Sequence, residues 1–315
     1  MNLPLSSKSS AATLPDSMLH SGMRVTIVGI IINVLLIILK FMGGIIGTSS
    51  AMIADAFHSA SDLLTDIGVF VGLKFLAKPP DSTHAYGHGR IETAISFLMG
   101  LVLALTGLGI FRTNGHAILH FLDGIHPPKP GLTALLAGIL SILSKEVLFW
   151  YTRRVARQVG SRSLEANAWH HRSDAFSSVG TVLGVGGALL LGERWTVLDP
   201  IAAVFVSILI IKIGFDIGWS ALKELSDESL STETKRAVEK AIGEVKGVKD
   251  FHYIRTRSLG RYVSLDAHVL VDPELTVREG HEIATEAENA IRSILLNAAF
   301  VTIHIEPEDE RLIED

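Results

Sequence analysis

The chain of 315 residues contains no cysteine, which excludes disulfides, thiolate nucleophiles, and zinc or iron–sulfur sites built on cysteine. Any bound metal ion would have to be held by histidine, aspartate or glutamate, and the chain has 13 histidines. Charged residues are few, at 19%, and a formal net charge of −5 argues against a nucleic-acid partner. No GxxxxGK[ST] segment occurs, so the sequence offers no phosphate-binding loop for a nucleotide.

Long hydrophobic runs, by contrast, are abundant between residues 23 and 222. A bilayer core of about 30 Å is crossed by a helix of about 20 apolar residues. We therefore predict a membrane all-α domain with six transmembrane helices over 23–222, preceded by a disordered tail over 1–22. The six segments are residues 25–47, 50–77, 91–111, 131–151, 173–192 and 198–221.

Lysine and arginine are distributed unevenly among the loops that join these segments. The loop between the fourth and fifth segments carries Arg153, Arg154 and Arg157, whereas the turn 48–50 between the first two carries no basic residue. Because positively charged loops remain on the cytosolic side, we expect a multi-pass protein of the cell (inner) membrane with both termini in the cytosol.

Residues 223–315 have the mixed charge and short alternating segments of a soluble domain. The periodicity predicts the order α-β-β-α-β, a small cytosolic α/β domain with its helices on one face of the sheet. The predicted helices are 232–245 and 276–296, and the predicted strands are 249–257, 262–271 and 300–306.

Two matching segments place ionisable residues inside apolar helices, where charged groups are costly and mark transport paths or relays. The second segment contains His58 and Asp62, and the fifth contains His170 and Asp174. The spacing of four puts each pair on one helical face. Two imidazoles and two carboxylates opposed in this way suit a tetrahedral Zn²⁺ ion. The alternatives are a buried His–Asp hydrogen bond on each helix, or residues that line a water-filled cavity.

Other ionisable residues of the apolar segments are given structural roles. Lys40 is expected to snorkel towards the membrane surface. Asp55 is expected to pack between helices or to line a vestibule. The adjacent residues Lys145 and Glu146 are expected to form an ion pair.

With these motifs the chain resembles the cation diffusion facilitator family of divalent-metal/proton antiporters. The resemblance covers nearly all of the chain beyond the N-terminal tail, and it implies a metallochaperone-like fold for the cytosolic domain. It implies that the transported ion binds to His58, Asp62, His170 and Asp174. It favours zinc and leaves Cd²⁺, Co²⁺, Ni²⁺ and Fe²⁺ open.

A second group of metal-binding residue types follows the second segment. Asp81, His84 and His88 lie within one short loop, and Gly87 and Gly89 allow a tight turn there. One carboxylate and two imidazoles could bind zinc, and a solvated polar loop is the alternative. The resemblance implies a cytosolic-loop metal site at this D-x-x-H-x-x-x-H spacing, with a regulatory or structural role.

The soluble domain carries one histidine on each predicted strand and one on its second helix. Scattered histidines are ordinarily surface residues, but the resemblance implies a two-metal site here, completed by an acidic residue after the last histidine. It also implies that Arg90 and Asp227 interlock two protomers near the membrane. The implied ligands of the soluble domain are His252, His268, His281, His304 and Glu306, the last standing where well-known members have aspartate.

Together with the resemblance, these features predict a homodimeric zinc exporter that exchanges zinc for protons by alternating access and is not an enzyme. Zinc at the cytosolic sites would be structural or regulatory. One alternative keeps the fold and exports Fe²⁺, Mn²⁺, Co²⁺ or Cd²⁺. Others are a membrane-bound metal sensor without transport and a membrane metallohydrolase.

Overall fold

The computed structural model describes residues 16–76, 81–159, 161–260 and 262–308. Six long helices come first: α1 Asp16–Ile46, α2 Ser50–Leu76, α3 Gly89–Leu122, α4 Leu132–Val159, α5 Arg162–Leu190 and α6 Leu198–Leu225. Among the described residues, five stretches are long and apolar enough to cross a membrane: Arg24–Ile46, Gly89–Leu122, Leu132–Val159, Leu164–Leu190 and Glu193–Leu225. The remaining helix, α2, has 27 residues and carries Asp55, His58 and Asp62. The predicted helical membrane domain is confirmed.

Several helices extend beyond the apolar segments that predicted them. Helix α1 begins at Asp16 and replaces the predicted tail over residues 16–22, while residues 1–15 lie outside the described part of the chain. Helix α3 continues to Leu122, and α5 already begins at Arg162. Hydropathy marks only the part of a helix that lipid can surround, whereas the backbone hydrogen bonds continue through polar residues.

Residues up to Leu64 and Leu103–Ile213 form one compact unit. Small residues let its helix backbones approach closely, as is common in membrane bundles. A Cβ atom built at Gly43 would lie 2.5 Å from the Cβ of Ala137, and one at Gly138 would lie 2.5 Å from a methyl group of Val182. Helix α4 therefore packs tightly against both α1 and α5. The buried core of this unit consists of Ala51, Met52, Ala54, Ala134, Ala137, Val185, Ala202, Ala203, Val206 and Ile210.

The second compact unit holds Thr65–Val102 together with the chain from Gly214 onward. It includes the C-terminal domain, in which the predicted order α-β-β-α-β is confirmed. Strand β2 lies in the centre of the sheet, antiparallel to β1 and parallel to β3. The elements are α7 Thr232–Gly243, β1 Asp250–Leu259, β2 Tyr262–Val271, α8 Val277–Ile294 and β3 Ala298–Pro307.

One face of this sheet forms the core of the domain. Leu265 and Val269 of β2 pack in one buried cluster with Ile242 of α7 and Ile291 of α8. Because successive strand residues point to opposite faces, the intervening residues of β2 lie on the other side of the sheet. His268 is one of these residues.

Capping residues fix where the two helices of the domain begin. The Ser231 hydroxyl accepts a hydrogen bond from the Thr234 amide at the start of α7. At the start of α8, Thr276 and Glu279 form a reciprocal capping box. The hydrogen bonds from Thr276 hold the pKa of the Glu279 carboxyl below its usual value.

Candidate metal centres

Three of the four residues predicted for the membrane site converge in the structure. One ligand atom from each of Asp62, His170 and Asp174 lies within 4.8 Å of the others. Helix α2 supplies the first residue and α5 the other two, and the spacing of four places the Nδ1 atom of His170 3.7 Å from Oδ1 of Asp174. The matched motifs therefore do face each other across the helix pair.

His58 lies beside this group and not within it. Its side chain is buried, and the imidazole is close enough to the carboxylates of Asp62 and Asp174 to interact with them electrostatically. The buried Nδ1 atom of His58 and the buried Oδ2 atom of Asp62 have no hydrogen-bond partner among the described residues. Both atoms are therefore available as metal ligands.

Sequence reasoning missed one residue that contacts the group directly. Lys145 of α4 is 3% exposed, and its ammonium donates a hydrogen bond to Oδ2 of Asp174 at 2.7 Å. The lysine faces the candidate metal ligands, so it forms part of the electrostatic environment of the site.

The expected ion pair between Lys145 and Glu146 is wrong. Glu146 instead accepts a hydrogen bond from the indole of Trp150 at 2.9 Å and lies 3.5 Å from the guanidinium of Arg172. Consecutive residues on an α-helix point about 100° apart, so the two side chains reach different residues of α5: Lys145 contacts Asp174, and Glu146 contacts Arg172. The adjacent positions of Lys145 and Glu146 in the sequence could therefore have indicated that the two side chains have different partners.

The expected snorkelling of Lys40 is also wrong. Lys40 is 1% exposed, and its Nζ atom lies 2.7 Å from Oδ2 of Asp55. The same ammonium donates hydrogen bonds to the hydroxyls of Ser59 and Ser178. A lysine snorkels only where its stem can reach the surface, and Lys40 lies on the side of α1 that faces α2 and α5.

The second predicted group, in the loop after α2, comes together as a cluster. Asp81, His84 and His88 each offer a ligand atom within 4.8 Å of the others. One Asp81 oxygen lies 3.4 Å from Nδ1 of His84, and the other lies 3.4 Å from Nε2 of His88. The aspartate is thus centred between the two imidazoles.

The local backbone explains the position of this aspartate. The Asp81 carboxylate accepts hydrogen bonds from the backbone amides of Thr83 and His84 and from the Thr83 hydroxyl. These bonds hold the pKa of the Asp81 carboxyl well below its usual range. Gly87 then adopts a positive φ of 79°, which favours glycine, and the chain turns towards α3. The carboxylate is therefore oriented and ionised.

The same loop packs against the C-terminal domain. The ring of Tyr86 lies 5.1 Å from that of Phe300, edge to face. At Gly89 the backbone approaches the end of β1 so closely that a Cβ atom would clash with the carbonyl oxygen of Leu259. A change in the position of this loop would therefore change its contacts with β1 and β3.

Arg90 and Asp227, which the resemblance assigns to an interlock between protomers, pair within this chain. The guanidinium of Arg90 donates a hydrogen bond to the Asp227 carboxylate. Arg257 of β1 lies 3.7 Å from the other carboxylate oxygen. Asp227 thus links the start of α3 to the sheet.

The third group lies on the sheet face that the helices leave uncovered. Strand pairing aligns His252, His268 and His304 in one row across β1, β2 and β3. Neighbouring rings in the row are 5.3 Å and 4.9 Å apart. Glu306 follows His304 by two residues and so lies on the same face.

Glu306 connects the row of histidines. Its Oε1 atom lies 2.6 Å from Nδ1 of His268, and its Oε2 atom lies 3.0 Å from Nε2 of His252. Nε2 of His304 is 3.5 Å from Oε1. The Glu306 side chain is 7% exposed, and one ligand atom from each of His252, His268 and Glu306 lies within 4.8 Å of the others, as a shared metal ion would require.

His281 is not placed with this row. It is an exposed residue of α8, which packs on the opposite face of the sheet, and the close ligand group found among the described residues contains His252, His268 and Glu306. Within one chain the structure therefore brings together four of the five residues that the resemblance implied.

Comparison with known proteins identifies both parts of the chain. Residues 26–226 match the family model of the cation efflux transmembrane domain. Residues 230–308 match that of the cytoplasmic domain of cation efflux proteins. The two matches meet at the end of α6.

Similar proteins extend along most of the chain. Metal tolerance protein C1 of Arabidopsis thaliana is 34% identical over 91% of this chain, which spans 63% of that protein. Manganese efflux system protein MneP of Bacillus subtilis is 32% identical over 90% of this chain and 95% of its own length. A solved C-terminal domain of the magnetosome protein MamM is 25% identical, with a TM-score of 0.24, and the match covers 24% of this chain and 96% of that domain.

The two consecutive family matches, the apolar helices and the paired histidine–aspartate motifs all lead to one assignment. The chain is a multi-pass membrane protein that belongs to the cation diffusion facilitator family of divalent-cation efflux transporters.

Proposed function

We propose that the protein exports Zn²⁺ in exchange for protons, through the site formed by Asp62, His170 and Asp174 with His58 beside it. The observation that carries the proposal is the convergence of these ligand atoms from α2 and α5 inside the helical bundle. Histidine and aspartate together suit Zn²⁺, whereas a site of oxygen ligands alone would suit Mg²⁺ or Ca²⁺ better.

Protons compete with the ion for the same ligand atoms. A metal-bound imidazole must give up the proton from its ligating nitrogen, so zinc that enters from the cytosol displaces protons from His58 and His170. On the opposite side of the membrane, protons rebind and release the zinc. The cycle needs no covalent step and no nucleotide.

Access to the site alternates between the two sides of the membrane as the helices that hold the ligands move. We place the transporter in the cell (inner) membrane, and the lysine and arginine distribution supports an orientation with both termini in the cytosol. The match to a cytoplasmic domain family supports the same orientation. The transporter acts as a homodimer that associates through this domain.

The two groups outside the membrane act as regulatory or structural zinc sites. Asp81, His84 and His88 hold one ion, and the row of histidines with Glu306 holds the other. Because the loop contacts the domain at Tyr86 and Gly89, zinc bound at either site influences the same surface. Cytosolic zinc would in this way be coupled to transport.

A second candidate keeps the site and changes the ion to Mn²⁺. It is favoured by the similarity to a protein named as a manganese efflux system, and by the two carboxylates of the site, which suit this harder ion. Fe²⁺, Co²⁺ and Cd²⁺ are further candidates for the same ligand set.

Ion flux into inside-out proteoliposomes tests the proposal. Purified protein is reconstituted, and uptake of Zn²⁺, Mn²⁺, Fe²⁺, Co²⁺ and Cd²⁺ is followed with and without an acidic lumen. We expect zinc uptake that is fastest with the acidic lumen and that raises the lumenal pH. Uptake of Mn²⁺ but not of Zn²⁺ would show that the transported ion is manganese and not zinc. Zinc uptake at the same rate with and without the pH gradient would contradict proton exchange. Zinc binding without flux of any ion would favour a metal sensor.

A further inference from the structure

Lys145 brings a positive charge into direct contact with a ligand of the candidate transport site. Its ammonium lies 2.7 Å from Oδ2 of Asp174, and the lysine is 3% exposed. The other Asp174 oxygen faces Nδ1 of His170 at 3.7 Å. A divalent ion bound by Asp174 would therefore approach a carboxylate that already holds a cation.

The partners of Lys145 and of its neighbour on α4 differ. Glu146 accepts a hydrogen bond from the indole of Trp150 and lies 3.5 Å from the guanidinium of Arg172. The ion pair of Lys145 in the described part of the chain is with Asp174, and the lysine also interacts electrostatically with Asp62. The charge of Lys145 is thus directed at both carboxylates of the site.

We propose that Lys145 sets the affinity of the transport site by competing with the divalent ion for Asp174. The proposal rests on the function proposed above for this site. Two ionised carboxylates carry two negative charges, and the ammonium offsets one of them. Because charges interact strongly away from water, an ammonium at this distance opposes binding of a second cation. Transport requires binding that is strong enough for uptake and weak enough for release, and the lysine shifts this balance towards release.

Lys40 shows that a buried lysine in this bundle need not act on the site. It is as deeply buried as Lys145, yet it pairs with Asp55, which precedes Asp62 by about two helical turns. Lys40 therefore serves as an internal reference for the behaviour of Lys145.

The test compares three variants by the dependence of initial flux on zinc concentration, and all three leave the ligands of the two cytosolic sites unchanged. Lys145→Gln removes the charge and keeps a hydrogen-bond donor, Lys145→Arg keeps the charge, and Lys129→Gln makes the matched change at an exposed loop residue. For Lys145→Gln we expect KM to fall by about tenfold or more and kcat to fall as well, because release is slower. Lys145→Arg should stay near the wild type, and Lys129→Gln should be unchanged.

An unchanged KM for folded Lys145→Gln would overturn this proposal while leaving zinc transport intact. Absence of flux of any divalent ion in the wild type would instead overturn the proposed function, and this inference with it. The two failures are therefore distinguishable.

A measurement on the wild type covers the case in which Lys145→Gln does not fold. Reductive methylation with formaldehyde labels lysine amines, and mass spectrometry reads each lysine separately. We expect zinc to increase the labelling of Lys145, whose ammonium is displaced from Asp174, and to leave Lys40 unchanged. Equal labelling of Lys145 with and without zinc would overturn the proposal.

Discussion

The Nζ atom of Lys40 lies 2.7 Å from Oδ2 of Asp55, and both side chains are 1% exposed. The pair joins α1 to α2, and the hydroxyl of Ser178 on α5 donates a hydrogen bond to the same carboxylate at 3.0 Å. Three helices therefore meet at one buried ion pair. Such a pair is costly to break on one side only, because the remaining charge stays buried without its partner.

Lys40→Met should therefore destabilise the membrane domain by about 3–5 kcal/mol, whereas Lys40→Met combined with Asp55→Leu should recover most of the loss. Thermal unfolding in detergent measures both, with Lys129→Met at an exposed loop position as the control. A single variant as stable as the wild type would show that the ion pair does not hold these helices together.

The effect of replacing a glycine by alanine on the free energy of unfolding should depend on how closely a neighbouring helix approaches that glycine. Gly43→Ala would place a methyl group 2.5 Å from the Cβ of Ala137, so we expect a loss of about 1–3 kcal/mol. Gly109→Ala, on α3, meets no atom within 4 Å, so its higher helix propensity should add up to about 1 kcal/mol. Thermal unfolding of the two variants under one condition checks the sign of each. A stabilising Gly43→Ala would contradict the close packing of α1 on α4.

The loop carboxylate should titrate at unusually low pH. Hydrogen bonds from the Thr83 hydroxyl and from backbone amides hold the pKa of Asp81 below its usual range. A depressed pKa means that the loop conformation gains stability above the pKa of the unfolded chain and loses it as pH falls through the folded pKa. Thr83→Ala removes one of these donors and should raise the pKa. Carboxyl-carbon NMR of selectively labelled protein measures both midpoints, and identical midpoints would contradict the proposed role of the Thr83 hydroxyl.

Because metal binding competes with protons for the ligand atoms, zinc at this loop should be lost on acidification even while Asp81 stays ionised. His88→Ala should abolish zinc binding at this loop, and Thr83→Ala should not.

Removing the charge of Glu306 should weaken zinc binding on the sheet face. The carboxylate contacts His268 at 2.6 Å and His252 at 3.0 Å, so Glu306→Gln removes an anionic ligand that also orients two imidazoles. We expect an affinity lower by about 10–100-fold at this site. Titration calorimetry of the full chain detects the change, and Glu308→Gln, two residues further on and exposed, is the matched control. Equal zinc affinity of Glu306→Gln and of the control would show that Glu306 does not contribute to this site.

Much of this arrangement could be predicted from the sequence because it depends on local spacing. The two histidine–aspartate motifs and the alternation of the strands follow from helix and strand periodicity, and the loop group follows from the closeness of its residues in the sequence. The row formed by His252, His268 and His304 could not be predicted from periodicity alone, because it depends on the register in which the three strands pair. Family resemblance, not periodicity, supplied that grouping.

The contacts of the two buried lysines could not be predicted in the same way. Whether Lys40 meets Asp55, or Lys145 meets Asp174, depends on how helices distant in the sequence are rotated against each other. Small residues such as Gly43 and Gly138 allow that packing, but they do not reveal which polar partner will be reached. His281 shows the converse: the resemblance assigned it to the metal site, whereas its helix packs on the other face of the sheet, so its role as a ligand stays a prediction.

The central claim is that the carboxylates of α2 and α5 carry the transported ion. Its most direct test is zinc uptake by proteoliposomes containing Asp62→Asn, Asp174→Asn or Asp123→Asn, with an imposed pH gradient. Asp123 lies in an exposed turn after α3, so the control makes the same chemical change away from the site. We predict that both site variants lose more than about tenfold in flux while zinc remains bound at the loop and sheet sites, and that Asp123→Asn transports as the wild type does. Undiminished zinc flux in folded Asp62→Asn and Asp174→Asn would contradict the account.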